Sequence, residues 1–177
     1  MAFTHLYGAY DVEGSINYFL KNNLLTNVPD FLVAQVGSVP PRTINFDYPE
    51  HPLVFPSFGI THLGSEPLPG MSQGDRAGTT WKGVRRFGVC EVNCWVTSKD
   101  NANWMMHLRV MRDMVFKLFQ QNRAIALYDL TTPTAPSALS AVTRVLEMRE
   151  VATEMDPNPS VKRKRILITH HWTERFT

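Results

Sequence analysis

Residues 84–121 read VRRFGVCEVNCWVTSKDNANWMMHLRVMRDMVFKLFQQ, and a change of period inside this stretch decides the fold. Up to Thr97 the chain alternates, with Cys90, Val92, Cys94 and Val96 on one face, as in a strand with one side buried. Ser98, Lys99, Asp100 and Asn101 form a cap. The period then becomes helical: Trp104, Leu108, Met111, Val115 and Leu118 follow one another at spacings of four, three, four and three. A second apolar set, Met105, Met114 and Phe119, widens that stripe and predicts a helix over 101–121 buried on two sides.

Upstream, residues 11–25 predict an amphipathic helix that opens with Asp11 as N-cap and shares Val12, Ile16, Phe19 and Leu20 on one side. Asn27-Val28-Pro29-Asp30 ends it, because proline disfavours helix in the residue before it and cannot continue one. The apolar run 31–36 reads as strand or extended chain, and 37–52, with four prolines, as irregular backbone. Residues 53–63 read as a strand with Val54, Phe58 and Ile60 on one face. Pro56 cannot donate to a ladder, so this strand lies at an edge or begins after it. Residues 64–83 hold five glycines and two prolines and read as a long exposed hairpin loop, a contact arm.

Downstream, 124–130 reads as a short strand and 131–140 as a loop. Residues 141–153 and 161–176 form a terminal hairpin, with Leu146, Met148 and Ala152 sharing a face on its first arm and Ile166, Ile168, His170 and Trp172 on its second. Strands joined by loops rather than helices predict one α+β domain over 1–177, a mainly antiparallel sheet with two helices packed on one face.

Eighteen Lys and Arg against sixteen Asp and Glu leave a formal charge of +2, too little for a field that would hold nucleic acid or an anionic membrane without specificity. The first ten residues lack the basic start and apolar stretch of a secretory signal, so the protein is expected to be made and used in the cytosol. Cys90 and Cys94, four strand residues apart, are separated by roughly 13 Å and cannot pair. They read as buried reduced thiols.

The sequence contains no GxSxG, HExxH, CxxC or GxxxxGK[ST] signature, and His170 and His171 point to opposite faces of a strand. No catalytic residue, cofactor or metal is therefore expected, and the chain reads as a non-enzyme. The one dense charge run, Lys162-Arg163-Lys164-Arg165, splits on a strand into Lys162 and Lys164 on one side and Arg163 and Arg165 on the other. It reads either as a hairpin arm paired with the mixed run around Glu147, Glu150 and Glu154 or as an intersubunit contact. Together with Arg76, Trp81, Lys82, Arg85 and Arg86 it supplies the candidate interface residues. A nucleic-acid module using Lys162 to Arg165 with Trp172 is the competing reading.

In pattern and order the chain resembles the tail terminator proteins of long-tailed bacteriophages. The resemblance sits in the Pro-containing strand Leu53-Val54-Phe55-Pro56-Ser57-Phe58-Gly59-Ile60, the strand 88–96, the polar link 98–103, the helix beginning near Trp104 and the late strand with Arg165-Ile166-Leu167-Ile168-Thr169. It implies a structural virion protein assembled in the host cytoplasm, six copies of which ring the head-proximal end of the tail. Such a ring stops tube polymerisation and presents the head-joining surface. The implied partners are the chain itself, the tail tube protein, the head-tail connector or stopper protein and the tail sheath, with DNA only as cargo and no membrane. A closed ring uses two different patches per subunit, and the 64–83 loop and the terminal hairpin are the candidates. The longer 37–52 and 131–140 segments depart from shorter family members and leave a neighbouring neck protein as the alternative.

Overall fold

In the computed structural model the described residues are 9–24, 43–46, 55–73, 82–99, 102–129, 137–152 and 158–176. The helix stop at 27–30, the run 31–36, Val54, the hairpin tip with Arg76 and Trp81, residues 131–136 and the link 153–157 lie outside them. The elements in chain order are α1 (Ala9–Leu24), β1 (Thr43–Phe46), β2 (Ser57–Gln73), β3 (Lys82–Thr97), α2 (Trp104–Gln121), β4 (Ala124–Asp129), β5 (Ser137–Val151) and β6 (Val161–Phe176). All six strands join one sheet in the order β1-β2-β3-β6-β5-β4, antiparallel except for the β1–β2 pair. The fold is α+β with a mainly antiparallel sheet, as the alternation of periods predicts.

Burial explains the order. Cys90, Val92, Cys94 and Val96 of β3 face Ile166 and Ile168 of β6, with Phe58 and Ile60 of β2 on the other flank. On this inner face lie Val12, Ile16, Leu20 and Leu24 of α1 and Leu108, Met111, Met114, Val115 and Phe119 of α2. The rings of Phe19 and Phe119, 5.7 Å apart, link the two helices. Each fully buried aliphatic side chain contributes about 2 kcal/mol of transfer free energy, so the two helices and the inner face hold one another in place. Gly88 belongs to this packing: a Cβ there would lie 2.8 Å from the His170 ring and 2.9 Å from that of Trp172.

The structure corrects several boundaries. Helix α1 starts two residues before Asp11, which therefore sits buried in the first turn instead of capping it, and its carbonyl accepts from Ser15 Oγ at 2.6 Å. Ser15 Oγ accepts in turn from the Tyr128 amide at 2.8 Å, where the β4–β5 ladder shifts register. Helix α2 starts at Trp104, and Asn103 caps it without a side-chain hydrogen bond. Its burial is a single broad face, with Met105 and Met106 half exposed on the other side. The segment 37–52 is not irregular throughout, because β1 inside it pairs in parallel with Ser57 to Ile60.

Pro56 precedes β2 and follows a cis peptide bond. The 64–83 segment is largely strand, since β2 runs on to Gln73 and β3 begins at Lys82, with the ladder broken between Pro67 and Ser72. Gly64 and Pro67 stand at the irregularities of this hairpin ladder, and Gly64 takes φ 116°. The last four residues of 131–140 belong to β5. In β5, finally, Leu146 does not share a face with Met148: a bulge between Val145 and Glu147 inserts one residue and turns Leu146 out of the core.

Candidate interface on the outer face of the sheet

Both helices cover the inner face; on the opposite face Ser57, Glu91, Asn93 and Trp95 are buried as well, and a further partner can meet the sheet there only beyond Glu91. The ladder fixes its composition row by row. Ser57, Trp95 and Arg163 form one row, Gly59, Asn93 and Arg165 the next, then Thr61, Glu91, Leu167 and Arg149. Beyond these come Gly64, Val89, Thr169 and Glu147, and then Glu66, Phe87, His171 and Arg144.

The first three rows hold a buried polar cluster centred on Glu91, in which Ser57 Oγ, Thr61 Oγ1 and Asn93 Oδ1 make no hydrogen bond among the described residues. The Glu91 carboxylate is 5% exposed and accepts on Oε2 from Arg165 Nε at 3.0 Å and Nη2 at 2.5 Å. Its Oε1 accepts from Asn93 Nδ2 at 2.8 Å. A two-pronged guanidinium is the donor that compensates a buried carboxylate, and Arg165 occupies the row adjacent to Glu91. The Arg163 guanidinium lies 5.0 Å from the centre of the Trp95 ring, whose face attracts a cation. Burial, and the nearby charge of Arg165, lower the Arg163 guanidinium below its ordinary value.

Lys162 and Lys164 point to the inner side. Lys162 Nζ stands 5.5 Å from the centre of the Trp104 ring at the start of α2. Lys164 pairs with Glu150, to which Arg112 of α2 also donates at 3.0 Å. Burial works to raise the Glu150 carboxyl, but the hydrogen bonds and charges of Lys164 and Arg112 outweigh it and hold the group below its ordinary value. All four residues of the charge run are thus engaged within the chain. Of the other sequence-predicted interface residues, Arg85 and Arg86 are half-buried on β3, Lys82 opens that strand, and Arg76 and Trp81 fall outside the described residues. Trp172, invoked for nucleic-acid stacking, is 2% exposed within the core. The arm therefore presents no basic, aromatic stripe to a nucleic acid.

Histidines 170 and 171 divide as the alternation requires. His170 is buried, its Nδ1 3.0 Å from Thr143 Oγ1, and its ring stacks on Trp172 at 5.4 Å. Burial, reinforced by His62 and His171, brings its pKa down to about 4. His171 lies on the outer face, and its pKa is lowered by burial and by the charges of Arg85 and Arg144. Cys90 and Cys94 are free and buried; burial pushes the Cys90 thiol up to about 12 and the Cys94 thiol higher still.

Beyond Glu91 the outer face opens. Leu63, Gly64, Ser65, Glu66, Phe87 and Val89 line a shallow depression of about 400 Å³. Leu63 is 56% exposed on this rim, and on β5 Leu146, past the end of β4, is 48% and Val142, paired with β4, 41% exposed. Glu66 and Arg144 are exposed beside them. Sequence reasoning passed over Leu63, Glu66 and Arg144, and it misplaced Leu146, which stands at a bulge where simple alternation assigns it to the inner face.

No family model matches the chain, and no curated protein matches it. Among solved structures, a chain of "Virion of native gene transfer agent (GTA) particle" is similar over 94% of this chain and 99% of that one, at 12% identity and a TM-score of 0.36. A likeness of that size carries no argument about function.

Proposed function

We propose that this chain is a structural virion protein, a ring-forming subunit like the tail terminators of long-tailed phages, which caps the tail tube, halts its growth and offers the surface on which the head joins. The observation that carries the reading is the outer sheet face, left uncovered by both helices and carrying half-exposed leucines at both rims. Exposed apolar side chains grouped on one face mark a surface for another protein. Of the elements on which the sequence resemblance rests, β3, the helix starting at Trp104 and β6 through Arg165 to Thr169 are present, while β2 begins after Pro56 and does not contain it.

In this reading the protein performs no catalysis and needs no cofactor. Its partners are further copies of itself, the tube protein and the connector or stopper, and DNA passes through the ring as cargo. Light scattering across a concentration series, alone and with the candidate tube protein, tests it. A discrete hexamer in either condition is the expected result. A monomer at every concentration that also ignores the tube would overturn the proposal.

A further inference from the structure

We infer that the two rims of the outer face are the two halves of one head-to-tail contact between copies of this chain: Leu63 and Glu66 on β2 of one copy against Leu146 and Arg144 on β5 of the next. The inference rests on the ring reading above and names the surface that would close it.

Three observations place the two patches in correspondence. Each leucine stands at a bulge, Leu63 between His62 and Gly64 and Leu146 between Val145 and Glu147. The two bulges lie at nearly the same height, since Gly64 and Glu147 share the row of Val89 and Thr169. Bulges re-aim side chains and recur at sheet edges; here the β5 bulge turns Leu146 outward, while Leu63 is on the outer side by alternation with Phe58 and Ile60. The charges beside the leucines are also level, because Glu66, Phe87, His171 and Arg144 form one continuous row. Three strand spacings, roughly 14 Å, separate Glu66 from Arg144, and neither makes an ion pair among the described residues.

Both rims are also accessible. Among the described residues β2 has no strand on its outer side beyond Ile60, and β5 from Leu146 to Val151 extends past the end of β4. Arg123 Nη1 reaches the Leu146 carbonyl at 3.3 Å, and the Leu146 side chain is still half exposed. The β2 side carries Glu66, and the β5 side carries Arg144 and Arg149 with Glu147 between them, a net basic balance. A rim set against its own kind in a second copy would oppose like charges, which disfavours that pairing strongly, whereas a rim set against the opposite one joins leucine to leucine and acid to base. Because both patches lie on one face, a two-fold pair would match them too, residue i to j and j to i; in the ring reading each patch meets a different copy, and such a contact adds copies until the ring closes.

The test is a Leu63→Cys/Leu146→Cys double variant under mild oxidation, with Cys90 and Cys94 silent because both are buried with raised pKa values. A non-reducing ladder of trimers and larger species is expected from the double variant, and no ladder from either single variant. In parallel, Glu66→Arg and Arg144→Glu should each weaken self-association by about tenfold or more, and the two changes combined should restore it. Crosslinking that stops at dimers would replace the head-to-tail contact with a two-fold one. A wild-type oligomer that gives no ladder and tolerates both charge reversals would overturn this surface while leaving the ring standing. A wild-type chain that stays monomeric with and without the tube protein would remove both.

Discussion

Strand β6 has two sides that solve the burial problem differently. Its even-numbered residues Ile166, Ile168, His170 and Trp172 are buried on the helix-covered side, where the chain itself supplies everything they touch. Its odd-numbered residues Arg163, Arg165, Leu167, Thr169 and His171 are only half-buried, and their charges are met by Trp95 and Glu91 across the ladder. The inner face is held by shape and apolar area. The outer face is held near one end by compensated charge and left open toward the other. A face finished by its own helices leaves no apolar surface to a partner, whereas Leu63 and Leu146 on the other face leave some exposed.

The comparison can be broken most severely on the inner side. Ile168→Ala deletes a 1% exposed side chain from the centre of the core, and a loss of about 4 kcal/mol is expected in urea unfolding. A change under about 1 kcal/mol would mean that the site collapses freely and that the inner face is less tightly packed than its burial indicates.

Acid should act on the same face with a somewhat smaller effect. The His170 pKa is about 4 in the folded protein against an ordinary 6.5. As pH falls through 6.5 the unfolded chain takes up a proton that the folded one refuses until about 4, so the unfolded state binds more protons across that window. The His170 contribution is therefore complete above 6.5 and lost progressively down to about 4, by about 3 kcal/mol in all. Urea midpoints of wild type and His170→Gln across that range check it: the variant should be less pH-dependent, and equal slopes would remove His170 as the cause.

On the outer face Arg165→Met strands the Glu91 carboxylate, and about 2 kcal/mol of stability should be lost. Glu91→Gln introduced with it should return part of that loss, because a neutral amide costs less to bury than an unpaired carboxylate. A double variant no better than the single would show that Arg165 acts through packing instead of charge.

Legibility in the sequence followed the regularity of the local pattern. The β3 alternation and the α2 stripe are uninterrupted, so strand, helix and inward-facing residues could be read directly: Cys90 to Val96 and Leu108, Met111 and Val115 are buried as expected. The division of Lys162 to Arg165 between two faces was legible for the same reason. What each charge meets was not, because Glu91 lies 74 residues from Arg165 and Glu150 contacts both α2 and β6. Glycine and proline at 64–73 misled in the other direction, since they interrupt the ladder without ending the strand.

The sequence by itself determined strand β3, helix α2 and their inward faces, because an uninterrupted period is a property of consecutive residues. Only the tertiary structure decided which strands are neighbours, that Leu63 and Leu146 stand at bulges of nearly equal height, and that Glu66 and Arg144 fall in one row three strands apart, which runs on to Ala124 of β4. Register between distant strands follows from how the whole sheet closes over one core, and no local pattern encodes it.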